Sequence, residues 1–304
     1  PETIDLASEL LSLADSSAPD RQLLGALFGD DETFLKFLGA EQDGLGLIFL
    51  WDLLKLKADA GFLKDVVRRY EAGYPAPYAP VYVLGNHDRK RIISRVGHDA
   101  RKAKLLALLQ FTARGVPVTY YGEEIGMAEV HIPARDSKDP VGQRYKWIPD
   151  WLVDLLGLYV NRDGCRTPMQ WDGGPNAGFC AAGATPWLPV HENHRAVNVA
   201  QQLGDEDSIL GTCRRLLHLR RASAALQAGD LQLMDDADTG RDLLAYLRQA
   251  GEEAVLVVMN WGQSPRTFHN PTGCRRVLFE TGAGGITGGT EIELPPLCGL
   301  ILAE

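Results

Sequence analysis

The sequence has no excess of positive charge: 31 Lys and Arg stand against 40 Asp and Glu, a formal charge of −9 over 304 residues. That balance excludes a chain built mainly to hold nucleic acid or an anionic membrane, where basic clusters supply the affinity. No apolar run approaches the roughly 18 residues of a membrane-spanning helix, so no membrane partner is expected. The five cysteines (Cys165, Cys180, Cys213, Cys274 and Cys298) include no CxxC pair. An odd, scattered set argues for reduced thiols and against a disulfide framework or a zinc site, so no metal and no cofactor is expected. The acidic runs Asp30-Asp31-Glu32 and Asp235-Asp236-Ala237-Asp238 lack ligand spacing as well and are expected on solvated surface. No leader precedes Pro1, from which a cytoplasmic location is expected, and no methionine does, from which a processed or cut boundary is expected.

What is present is the material of a folded protein, 45% hydrophobic and 23% charged, with length for one large domain or two ordinary ones. Ile4, Leu6, Leu10, Leu11 and Leu13 predict an amphipathic helix ending in the polar stretch Ser16 to Asp20. Four apolar runs follow, at 23–28, 45–50, 81–84 and 116–121. Between them lie helix-period segments, one carrying Phe62, Leu63, Val66, Val67 and Tyr70, another Leu105, Leu108, Leu109 and Thr112, with Gly115 expected as the C′ residue that closes it. Apolar runs without alternation, separated by helices, predict parallel strands buried on both faces. A doubly wound sheet and a (β/α)8 barrel both fit that pattern.

From about 127 to 205 the periodicity gives way to a proline- and tryptophan-rich loop region, in which aromatic and polar side chains together suit stacking on sugar faces or packing on the core. Beyond about Leu231, runs at 243–247, 254–259, 276–279, 291–294 and 300–302 alternate with Gly, Pro and Asn, which predicts a small antiparallel β domain.

Chemistry concentrates at Asn86-His87-Asp88, directly after the third run. At the carboxyl end of a parallel strand such residues face the ligand side: a carboxylate can stabilise developing positive charge and a histidine can donate to a substrate hydroxyl. As a local feature the same tripeptide also makes a turn or a helix cap. Three further segments accompany it: Gly115 to Met127 (GVPVTYYGEEIGM), Asn161 to Asp172 (NRDGCRTPMQWD), and Pro175 to Phe179 with Pro186-Trp187-Leu188. Together, in this order, they resemble glycoside hydrolase family 13, the α-amylase family, in its α-glucosidase, oligo-1,6-glucosidase and trehalose-metabolising branch.

That resemblance implies a (β/α)8 TIM barrel followed by an antiparallel β-sandwich domain, and a retaining mechanism with two carboxylates about 5–5.5 Å apart. It implies that Asp88 is the transition-state stabiliser, that His87, Arg91 and Arg162 contact the substrate, and that Glu123, Gly115 and Pro117 are structural. The departures are equally specific. The nucleophile motif, of the type Gly-Phe-Arg-x-Asp, does not occur; Gly61-Phe62-Leu63-Lys64-Asp65 is superficially close, but Phe62 and Leu63 belong to a helix face. In Arg21 to Phe28 the proton-donor position of a Leu-Leu-Gly-Glu pattern is Ala26, and neither Glu32 nor Glu41 is placed to replace it.

The expectation is therefore the C-terminal half of the barrel, strands five to eight, in residues 1–228, with a loop insertion at about 127–205 and the β domain in 229–304. Its function would be that of the C-terminal part of an α-glucosidase-type hydrolase, inactive as this chain. The alternative is a non-catalytic homologue that binds sugar or a protein. The expected partners are an α-glucoside or maltooligosaccharide-type sugar and, through open sheet edges, the N-terminal half or a second copy.

Overall fold

The computed structural model describes residues 2–17, 21–39, 43–235, 239–282 and 284–304. Glu41, part of the stretch after the first helix and part of the 235–238 acidic run lie outside the described residues.

Four strands, β1 (Leu24–Gly25), β2 (Leu47–Leu50), β3 (Val81–Val83) and β4 (Val116–Val118), form a parallel sheet in the order of the chain. An order without reversal fits the winding of a barrel, and the four strands pass through no switch point of the kind at which a doubly wound sheet reverses. Each strand is shorter than the apolar run that announced it.

The helices between strands form where the periodicity places them. Asp59 caps Ala60–Gly73, its carboxylate accepting from the Phe62 amide at 2.8 Å, and Leu63, Val66, Val67 and Tyr70 bury one face. Asp65 lies on the exposed outer face of this helix, paired with Arg68 at 3.1 Å, far in kind from a nucleophile at a strand end. Helix Ala100–Thr112 is capped by Asp99 and buried on most sides through Leu105, Leu106, Leu108, Leu109 and Phe111. Gly115 does not close it. Ala113 takes the cap position, and Gly115, at φ +130°, turns the chain into β4 where a Cβ would stand 2.1 Å from the Pro80 carbonyl oxygen. The first helix, Glu2–Ser17, has the expected length, yet Leu6, Leu10 and Leu13 are exposed and only Ala7 is buried.

The region 127–205 contains short helices (Pro140–Arg144, Asp150–Leu155, Val199–Gln202) and single 3-10 turns. Helix Ile209–Ala222 then packs on Ala100–Thr112. Seven strands complete the chain: β5 (Asp230–Leu233), β6 (Leu243–Ala250), β7 (Glu253–Asn260), β8 (Arg266–His269), β9 (Arg276–Glu280), β10 (Glu291–Leu294) and β11 (Cys298–Ala303). They form an antiparallel five-stranded sheet, β5-β6-β7-β11-β9, and a two-stranded one, β10-β8. The short strands β5 and β8 carry no apolar run and were not expected.

Strict alternation divides β6, β7 and β11. Leu244, Tyr246, Val257, Met259 and Ile301 join the main core with the helix Ala100–Thr112, while Leu243, Ala245, Leu256, Val258 and Leu302 meet Phe268, Ile292 and Leu294 from β8 and β10. The main core thus runs unbroken from the parallel sheet into the antiparallel one. Across that junction the fully buried Arg248 donates to main-chain carbonyls: Thr112 at one helix end, Gly229 at 2.8 Å, and Leu226 and Asp230 at 3.3 Å. Among the described residues no helix is long and apolar enough to cross a membrane.

Replacing Arg248 by Ala strands these carbonyls in a dry core. The expected cost is roughly 3 kcal/mol, on the scale of lost charged hydrogen bonds. Urea unfolding followed by far-UV circular dichroism measures it, and an unchanged midpoint contradicts the role.

Candidate active site

Parallel strands collect their carboxyl ends on one side of the sheet, and the side chains with chemical potential gather there. β3 runs into Leu84 and Gly85; a Cβ at Gly85 would stand 2.3 Å from the Glu123 Oε1, so a larger residue would displace that carboxylate. Asn86 Oδ1 then accepts from the Asp88 amide at 2.9 Å, a local turn that presents both His87 and Asp88. The turn reading of this tripeptide is thus realised, at the carboxyl end of β3.

The Asp88 carboxylate is half-exposed and meets two arginines, both through Oδ1: Arg162 Nη1 at 2.7 Å and Arg166 Nη2 at 3.1 Å. Arg166 also donates from Nε to the His87 carbonyl at 2.8 Å. The His87 ring is largely exposed, with Nε2 3.5 Å from Asp88 Oδ1. Arg162 is aimed by a second carboxylate. Its Nε and Nη2 form a fork on Asp139 at 2.6 and 2.7 Å, and the Asp139 side chain is wholly buried. That fork holds the Asp139 carboxyl at about 2, well below its ordinary 3.8, and raises Arg162 further above the ordinary arginine value.

Asp163 supports the pair from below. It accepts from the amides of Lys138 (2.6 Å) and Asp139 (3.2 Å) and from the Ser137 hydroxyl (3.2 Å), fastening the loop that carries Asp139.

Arg91 is placed differently from the expected substrate contact. It is 2% exposed, lies against the rings of Tyr121 and Tyr120 at 4.8 and 5.6 Å, and donates from Nη1 to the Tyr121 carbonyl at 2.8 Å. Its amide donates to Glu129, whose other oxygen accepts from the Tyr159 hydroxyl. A guanidinium so enclosed positions the loop around Tyr121 and has no surface to offer a substrate. Glu123, expected to be structural, is part-buried with its carboxyl turned inward: Oε2 accepts from the Tyr120 amide at 3.0 Å, and burial pushes its carboxyl up to about 8.

Ala26 follows β1 directly, so its exposed methyl lies at the carboxyl end of a strand two places from β3. Glu32 is highly exposed on the next helix, paired with Lys36 at 2.7 Å. Beside Ala26 stands an aromatic group that sequence reading missed: Trp51 donates from Nε1 to the Leu27 carbonyl and stacks on Phe28 at 5.9 Å. Asp139 and Arg166 were missed as well. Asp139-Pro140 reads as a helix start, which it is, since Asp139 accepts from the Val141 amide. Nothing local links it to an arginine 23 residues away.

The family model of the α-amylase catalytic domain matches residues 1–229. A protein named "Probable alpha-glucosidase" from Rhizobium meliloti (strain 1021) is 37% identical over 212 residues, 68% of this chain and 35% of the relative. "Probable oligo-1,6-glucosidase 2" from Bacillus subtilis (strain 168) is 33% identical over 272 residues, 80% of this chain and 47% of the relative. The chain thus spans less than half the length of these relatives. Among solved structures, the trehalulose synthase MutB from Pseudomonas mesoacidophila MX-45 superposes with a TM-score of 0.86 at 26% identity, covering 100% of this chain and 59% of the other.

The Asp139 and Glu123 carboxyls give opposite pH dependences. Asp139 ionises more readily folded than unfolded, so its contribution is present above 3.8 and is lost as pH falls through about 2, roughly 2 kcal/mol in all. Glu123 is the reverse: its contribution is complete below 4.5 and is lost as pH rises through about 8. Urea unfolding across this range is expected to lose part of its acid limb, between 3.8 and about 2, in Asp139→Asn and to flatten between 4.5 and about 8 in Glu123→Gln. Unchanged profiles contradict both assignments.

Proposed function

The chain belongs to the α-amylase family, in an α-glucosidase-type fold, and from that membership we propose that it is the C-terminal part of a retaining enzyme acting on α-glucosidic bonds. In this reading β1 to β4 are strands five to eight of a (β/α)8 barrel. Residues 1–228 form the half-barrel with its loop at 127–205, and 229–304 form an antiparallel β-sandwich domain.

The observation that carries the reading is Asp88 at the carboxyl end of β3, held by Arg162 and Arg166 through a single oxygen. Asp88 then binds sugar hydroxyls and stabilises the oxocarbenium-like transition state, because a fixed carboxylate needs no reorganisation as positive charge develops. His87, exposed at its side, donates to a sugar hydroxyl, and Arg162 orients both partners. Arg91 serves by positioning Tyr121 over the same loop.

For two further tasks no residue among the described ones stands in place. General acid catalysis, worth about 10²–10⁴-fold, needs a proton donor where Ala26 carries a methyl group. The Asp of the motif-like segment, Asp65, lies on the outer face of a helix. The chain by itself therefore hydrolyses no glycoside. Ala26 also favours a second reading, a non-catalytic homologue that binds sugar or a protein partner. In either case β1 and β4 are sheet edges, and unpaired edges invite an N-terminal half-barrel or a second copy.

The purified chain is expected to release no nitrophenol from 4-nitrophenyl α-glucoside and no glucose from maltose; turnover at family-like rates would overturn the reading. Calorimetry with maltose is expected to detect binding that Asp88→Asn weakens tenfold or more. Light scattering at micromolar concentration is expected to report association, and a clean monomer counts against open edges as the mode of partnering.

A further inference from the structure

At the amino ends of β3 and β4, the side of the parallel sheet away from Asp88, positive charge outweighs negative. Arg114 has a carboxylate of its own, Glu71 at 2.6 Å. Arg220 and Arg248 form no ion pair among the described residues and donate only to main-chain carbonyls. Carbonyl dipoles satisfy the donors but leave the charge uncompensated. The consequence is opposite to that at Arg162, which its carboxylates raise. Burial pulls Arg220 below the ordinary arginine value; burial, with some repulsion from Arg220, brings Arg248 down to about 10. Burying cations without a counter-charge is unfavourable, and an anion that can approach relieves it.

Arg248 is sealed in the core, whereas Arg220 lines a cleft of about 470 Å³ together with Arg114, Tyr78, Pro117 and Ala228. That volume falls within the roughly 300–1,000 Å³ of ligand sites. Arg220 Nη1 donates to the carbonyls of Phe111 and Ala113 at 2.9 and 3.3 Å, and Nη2 to that of Gly115 at 2.6 Å. These bonds fix the plane of the guanidinium, and its Nε makes no hydrogen bond among the described residues. Arg114 differs: Nε is on Glu71, Nη1 on the Tyr78 carbonyl and Nη2 on the Tyr74 carbonyl, so it contributes charge to the cleft. Asp230, the acidic residue in the lining, is exposed and forms no ion pair with either arginine.

We propose that this cleft binds the phosphate group of a small phosphate monoester, one oxygen of which accepts from Arg220 Nε. Charge selects the ligand class: a dianion offsets two uncompensated guanidinium groups, where a carboxylate offsets one. The cleft is far larger than a phosphate group and leaves room for the rest of a small molecule. The site lies at the other end of the strands from Asp88 and does not depend on how Asp88 is read.

The test is calorimetry on the whole chain with inorganic phosphate and glycerol 3-phosphate, against acetate and chloride at matched ionic strength. Both phosphates are expected to bind saturably and at least tenfold more tightly than acetate, and to raise the thermal midpoint, as a ligand of the folded state does. Arg220→Lys keeps the charge but removes Nε and is expected to weaken phosphate binding tenfold or more. Asp230→Asn changes an exposed side chain outside the carbonyl network, so it tests the site even where Arg220→Lys fails to fold. It removes a negative charge from the lining and is expected to tighten phosphate binding twofold or more. Asp88→Asn is expected to leave phosphate affinity unchanged; a change there would place the anion on Arg162 and Arg166 and overturn the proposal. The absence of saturable phosphate binding, acetate binding as tightly as phosphate, or an affinity that Asp230→Asn does not alter also overturns it.

Discussion

One guanidinium, Arg162, joins the sheet to the loops that cover its carboxyl ends. Its fork on the buried Asp139 leaves Nη1 free to reach Asp88, so a charge pair formed within the long loop fixes the geometry of a carboxylate on the β3 loop. Arginine suits this place because its donors are rigidly spaced and can serve two carboxylates at once; a lysine would offer one point charge and no fixed direction. Asp163 holds Asp139, Asp139 aims Arg162, and Arg162 with Arg166 aims Asp88. A loop region with little regular structure is thereby made as definite as a helix.

At the opposite end of the same sheet, arginines do different work. Arg114 donates to the carbonyls of Tyr74 and Tyr78, Arg220 to those of Phe111, Ala113 and Gly115, and Arg248 to those of Thr112, Leu226, Gly229 and Asp230. Most of these carbonyls lie at helix ends or in the turns that lead into β3 and β4, where main-chain acceptors lack helical partners. Of these three, Arg248 ties the parallel sheet to the antiparallel one, whereas at the carboxyl ends Arg162 and Arg166 converge on a carboxylate that remains half-exposed.

Much of this division was legible in the residues. The helix face at Leu63, Val66, Val67 and Tyr70, the strands at 243–260 and the placement of Asn86 to Asp88 all follow from periodicity or from a local turn, which neighbouring residues decide between them. Gly115 misled because glycine serves equally as a helix C′ residue and as a place of close approach, and only the position of Pro80 distinguishes the two. Arg91 misled for a similar reason. Its spacing from Asp88 puts it near the site, but spacing carries no information about which side of the loop a side chain takes.

By itself the sequence determined the order and type of the main elements and the family, because these are properties of residue identity and short-range pattern. The tertiary structure alone decided that Asp139 and Asp163 stand behind Arg162 and that Arg91 is enclosed. Those pairings join residues separated by tens of positions. Their energies come from desolvation and from the direction of donors in space, quantities that exist only once the chain has closed around them.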